Sequence, residues 1–149
     1  MNVSLREKAL RMLARRDHAR VELAHKLSPH ADSAQQLDAL LDDLAARSLL
    51  SDERYAAARV HSRSARVGDA RLAYELRSKG VSGELVKLAL AGAEDELVRA
   101  RQVWLRRFGN QPCVAGDAVE RSRQIRFLVG RGFSGETVRR VLRGDLEDD

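Results

Sequence analysis

The sequence predicts an all-α protein: three tandem three-helix repeats, about nine helices, stacked into an elongated, curved, solenoid-like molecule. Three observations carry that expectation. A turn written as Lys79, Gly80, Val81, Ser82, Gly83, Glu84 returns 52 positions later as Arg131, Gly132, Phe133, Ser134, Gly135, Glu136. Apolar anchors keep the same register around both copies, Leu76 with Leu128, Val86 with Val138 and Leu90 with Leu142. Elsewhere apolar residues recur at helical spacing, and no stretch alternates as a strand would. In each copy the glycine suits a left-handed helix end, and the serine can cap the next helix, whose early glutamate faces the positive end of the dipole. A repeat near 50 residues is too small to bury a comfortable core, so the units are expected to lean on their neighbours.

The first unit, residues 1–50, opens with a helix over about Leu5 to Arg15, carrying Leu5, Ala9, Met12 and Leu13 at helical spacing. A second helix runs from about Ala19 to Leu27 and stops at Ser28, Pro29 and His30, because proline disfavours helix in the residue before it. Ser33 and Gln36 form a capping box for a third, with Leu37, Leu40, Leu41 and Leu44 inward. Asp38, Asp42 and Asp43 are expected to face water. The second unit, residues 51–92, starts at Ser51 and Asp52 with a helix through about Ser64 that buries Tyr55, Ala56 and Val60. The next begins at Gly68 and Asp69, burying Leu72, Tyr74 and Leu76, and the Gly80 turn leads to a third that ends near Ala91. The third unit, residues 93–149, holds a helix from about Glu94 to Phe108 whose Leu97, Val98, Trp104, Leu105 and Phe108 form the bulkiest core. A loop from Gly109 to Gly116 follows, then a helix opened by Asp117 with Val119, Ile125, Phe127 and Leu128 apolar, and a last helix ending near Arg143.

Composition narrows the function. Charged residues make up 33% of the chain and apolar ones 44%, as in ordinary soluble helical proteins. No apolar run approaches the ~20 residues of a membrane span, and no signal-peptide pattern stands at the start, which points to the cytoplasm. The single cysteine, Cys113, cannot form an internal disulfide and has no nearby base to activate it. His18 and His25 lack the further ligands of a metal site. Neither glycine cluster is followed by the lysine and hydroxyl of a phosphate loop, and no serine has a recognisable base. No metal, cofactor or catalytic role is expected.

The net charge of +5 conceals a stronger bias, since residues Asp145 to Asp149 contribute four acids and the rest carries 27 basic against 18 acidic residues, or +9. Such a body suits a phosphate backbone or an acidic protein. Candidate contacts are Arg15, Arg16, Arg20 and Lys26, then Arg59, Arg63, Arg66, Arg71, Arg77 and Lys79, then Arg126 and Arg131. Arg59, Arg63 and Arg66 fall on one side of a helix as a basic stripe, expected to supply most of the attraction. The Gly80 hairpin looks like a helix-turn-helix, yet its second helix offers Leu85, Val86, Lys87, Leu88 and Ala89, too apolar to read base edges. A basic DNA-binding protein nevertheless remains the alternative to a docking protein.

Several segments together resemble the bacterial RecX family, regulators of the recombinase RecA. They are Leu13, Arg16, His18, Glu22, Leu23, Lys26 and Leu27; Leu49, Leu50, Asp52, Arg54, Tyr55 and Ala56; Gly68, Arg71, Leu72, Glu75, Leu76, Lys79 and Gly80; and Phe127, Leu128, Arg131, Gly132, Phe133 and Ser134. The sequence departs from the family pattern at Ala19, where serine is usual, at Ser48, where glycine is common, and at Gly130, where an arginine precedes the turn. Without the serine cap, worth about 1 kcal/mol, the second helix is expected to start on Asp17 as an alternative to Ala19. The resemblance implies tandem three-helix repeats and a non-catalytic monomer. It further implies binding to the RecA filament on single-stranded DNA, which limits filament extension and lowers ATPase, strand-exchange and coprotease activity, with some affinity for DNA itself.

Overall fold

Apolar periodicity and capping decide where these helices run. The computed structural model describes residues 3–109 and 116–144, and its described residues hold nine α-helices and no strand. They are α1 (Leu5–Arg15), α2 (Arg20–Leu27), α3 (Ala34–Ala46), α4 (Asp52–Arg63), α5 (Asp69–Ser78), α6 (Gly83–Ala91), α7 (Glu96–Phe108), α8 (Ala118–Gly130) and α9 (Gly135–Arg143). Cys113 and the acidic residues from Asp145 onward lie outside the described residues. Two compact units divide the chain, one of Met1–Arg59 with Leu76–Ala89 and one of Val60–Glu75 with Leu90–Asp149, so α4, α5 and α6 each contribute to both.

In the first unit, Leu5, Ala9, Leu23, Leu27, Leu37, Leu40, Leu41, Leu44 and Leu50 form the core. Ser4 and Ser33 cap α1 and α3, each hydroxyl accepting a backbone N–H three residues on at 3.1 Å. Gln36 closes the box one residue early, its Oε1 accepting the amide of Asp32 rather than that of Ser33. The acidic back of α3 is not simply solvated: Asp43 pairs with Arg6 and Arg47, and Asp42 with Arg20. The start of α2 shows how the missing serine is replaced. Ala19 stands at the cap position with no side-chain bond to offer, and neither it nor Asp17 is helical; instead the carboxylate of Asp52 accepts the Arg20 amide at 2.7 Å. Ser51 remains free to cap α4 through the Arg54 amide.

The second unit uses the same device. Gly68, preceding α5, has no cap side chain, and Glu96 from the first turn of α7 accepts the Asp69 amide at 3.1 Å. Its other oxygen accepts the Ser134 amide at 3.0 Å, tying α9 to the same carboxylate. α7 begins at Glu96 rather than Glu94 because Asp95 caps it through the Leu97 amide. Arg99, only 2% exposed, donates to the carbonyls of Glu94, Ser64 and Val67 and pairs with Asp69. Around this hub pack Leu97, Ala100, Val103, Leu128, Phe133, Val138 and Val141. The buried Gln124 accepts the Trp104 indole N–H at 2.8 Å and donates to Glu120.

Both repeated turns are left-handed at glycine, with φ of 82° at Gly80 and 90° at Gly132. Close approach adds a second reason for glycine. A Cβ at Gly80 would lie 2.5 Å from Val21 Cγ2, and one at Gly132 2.8 Å from the Arg71 backbone nitrogen. Ser82 and Ser134 cap the following helices as the repeat implies.

Three side chains expected in the core are not there. Tyr74 is 74% exposed, since it stands two residues, about 200° of helix, from both Leu72 and Leu76. Val119 is 81% exposed, in the first turn of α8 and five residues before the buried Gln124. Leu105, two residues past the buried Val103, is also exposed.

Candidate partner-binding surface

Most of the cations singled out in the sequence are spent inside the units. In the first, Arg16 grips Glu22 with two nitrogens at 3.0 and 2.8 Å, while Lys79 Nζ stands 3.7 Å from the same carboxylate. The Arg16 hydrogen bonds outweigh burial and hold the Glu22 carboxyl down at about 2. Lys26 Nζ lies 3.2 Å from His18 Nε2, and His18 Nδ1 lies 3.1 Å from the Arg16 carbonyl. Lysine only donates, so Nε2 accepts and Nδ1–H donates to the carbonyl; burial lowers the imidazole's pKa and favours that neutral form. Arg20 donates to Asp42 at 2.7 Å. Arg59 is half-buried, whereas Arg15 and Arg77 are exposed with no ion-pair partner among the described residues.

In the second unit the expected stripe is not continuous. Helix α4 ends at Arg63, whose guanidinium grips Glu75 at 2.8 and 2.7 Å, and Arg66 sits in the turn beyond. Arg71 approaches Glu75 at 3.7 Å and donates to the Gly130 carbonyl at 3.1 Å, so position 130 contributes backbone rather than charge. The Arg131 carbonyl accepts the Gly68 amide at 2.7 Å. Arg126 is exposed without an ion-pair partner among the described residues.

Arg66 and Arg131 do come together, at a cleft of about 360 Å³ that they line with Arg106, Arg107, Ala65, Val103 and Phe127. Arg106 Nη2 is fixed by the Ala65 carbonyl at 2.5 Å. Phe108 and Phe127 meet edge to face, with ring centres 5.3 Å apart. The Arg107 guanidinium lies over both, at 5.4 and 5.7 Å, and that of Arg131 lies 5.0 Å from Phe127. Stacking of this kind holds a guanidinium in place while its N–H edge stays available. No carboxylate lines the cleft. Four permanently charged groups around a small apolar floor can bind an anion; they cannot shuttle protons at neutral pH. Arg106 and Arg107 were missed in the sequence because α7 reads as the bulkiest core helix; two adjacent arginines in its last turn were the available signal. Among the described residues, no group of three or more His, Cys, Asp or Glu could hold a metal ion. No helix there is long and apolar enough to cross a membrane.

Residues 51–90 match the family model described as RecX, second three-helix domain, and residues 94–142 match RecX, third three-helix domain. A protein of Leptothrix cholodnii named Regulatory protein RecX is 50% identical over 149 residues, covering 99% of this chain and 93% of that protein. This chain belongs to the RecX family. A second RecX, from Chromobacterium violaceum, is 42% identical over 98% of this chain and 93% of its own length. The crystal structure of RecX from Lactobacillus salivarius superposes with a TM-score of 0.79 over 94% of this chain and 93% of that one. At 17% identity it shows that the fold persists where little sequence does. Many of the residues that carried the resemblance, Arg16, Glu22, Asp52, Arg54, Gly68, Arg71, Glu75, Lys79 and Gly80, are the clamps and close approaches described above. The RecX signature in this chain is therefore largely a record of how its helices are held.

Proposed function

We propose that this protein regulates the recombinase RecA in DNA repair, recombination and the SOS response. It docks as a cytoplasmic monomer on the RecA filament formed on single-stranded DNA, limits extension, and so lowers ATPase, strand-exchange and coprotease activity. The observation that carries this reading is similarity along nearly the whole chain to proteins named as RecX regulators. The arrangement of charge supports a docking role, since its ionic groups serve as clamps or as exposed cations. Because Arg16, Arg20, Arg63 and Arg71 are engaged within the units, the cations available to the filament are the exposed Arg15, Arg66, Arg77 and Arg126. Non-specific contact with the bound strand accompanies docking.

Adding the purified protein to RecA turning over ATP on single-stranded DNA tests this. Inhibition at amounts well below one molecule per RecA subunit is expected. Unchanged turnover refutes the reading, and inhibition that appears only once the DNA is saturated replaces it with plain competition for DNA.

A further inference from the structure

The cleft between the end of α7, the turn after α4 and the end of α8 is unassigned by anything above. We propose that it binds the phosphate backbone of single-stranded nucleic acid, one phosphodiester group held among Arg66, Arg106, Arg107 and Arg131. The inference rests on the DNA contact in the proposed function and gives that contact an address.

Three features point to this ligand. The charge is all guanidinium, whose planar fork matches two oxygens of a phosphate at once, and no carboxylate dilutes it. The groups are already ordered, Arg106 by the Ala65 carbonyl and Arg107 and Arg131 by the phenylalanine rings, so less side-chain freedom is lost on binding. The apolar floor is small: Ala65, Val103 and Phe127 suffice for a sugar but offer neither a long groove for a helix nor a strand edge for a peptide. Guanidiniums also lie over the Phe127 ring where a stacking base would have to sit. The cleft therefore reads backbone charge and is indifferent to the base.

The test is binding of the full chain to fluorescent oligo(dT) across a salt series, without RecA. Arg66→Gln with Arg107→Gln should weaken binding about tenfold at low salt and flatten the slope of log K against log salt by about 1.4, or about 0.7 for each phosphate contact removed. Arg15→Gln with Arg77→Gln removes equal charge from the other unit and should leave the slope nearly unchanged. Arg66→Gln alone, at an exposed position that stacks on no ring, should give about half the slope change and guards against misfolding of the double variant. Equal losses in the two double variants, or an unaltered slope for Arg66→Gln, overturn the site. Tighter binding of poly-glutamate than of oligo(dT) overturns it in favour of an acidic protein partner. A wild-type chain that inhibits RecA yet leaves oligo(dT) unbound refutes this ligand while the regulatory reading stands.

Discussion

Replacing Glu22 by glutamine should both destabilise the protein and flatten the response of its stability to pH. Glu22 is 8% exposed, is gripped by Arg16, has Lys79 nearby, and its carboxyl falls from 4.5 to about 2. A drop of that size corresponds to at most about 3.4 kcal/mol at neutral pH. Arg16 and Lys79 are themselves 48% and 44% exposed, so solvent screening reduces the working value to about 1.5–2.5 kcal/mol. The sign follows from the depressed carboxyl. Its contribution is complete above the unfolded value of 4.5 and disappears as pH falls through the folded value of about 2, with about two-fifths left at pH 3. Urea unfolding of wild type and Glu22→Gln at pH 7 and pH 3 measures this directly. The gap between them should be about 2 kcal/mol at pH 7 and less than half that at pH 3. Asp43 and Glu120 also have lowered carboxyls, but both proteins share them, so they cancel in the difference. A gap of the same size at both pH values, or one below about 0.5 kcal/mol at pH 7, would refute the assignment of this ion pair as a stabilising clamp.

Two further substitutions separate glycines and turns that look alike in sequence. Gly132→Ala places a Cβ against the Arg71 backbone at positive φ and should cost about 2–3 kcal/mol in thermal or urea unfolding. Gly83→Ala, four residues from the equivalent turn's basic start, meets open space at ordinary φ and should instead gain about 0.4–1 kcal/mol; equal effects of the two would sink the close-approach account. Ser48 ends α3 at φ 60°, the conformation that glycine adopts without strain. Ser48→Gly should therefore raise the melting temperature, with a gain of about 0.5–1 kcal/mol after glycine's larger unfolded-state freedom is deducted, and a lower melting temperature would contradict it.

The arginines show where legibility stopped. Every exposed or paired cation on the list was visible as a charge, but charge alone does not say what it meets. Arg63 and Glu75 are twelve residues apart, Arg16 and Glu22 six, and Arg99 reaches Asp69 across thirty; only folding brings these pairs together. Arg106 and Arg107 passed unnoticed because their helix was read for its apolar content, although those two side chains point to the cleft.

What the sequence determined by itself was the local part. The helix spans, the leucine cores, the left-handed turns at Gly80 and Gly132 and the serine caps depend on residues within a few positions of one another, where spacing fixes geometry. Tertiary structure alone decided the rest: that Asp52 caps a helix thirty-two residues upstream, that Tyr74 faces water, and that Arg66, Arg106, Arg107 and Arg131 share one cleft. These depend on which helix packs beside which, and that choice is made by the shape of buried surfaces summed over the whole fold, a quantity no single stretch of chain contains.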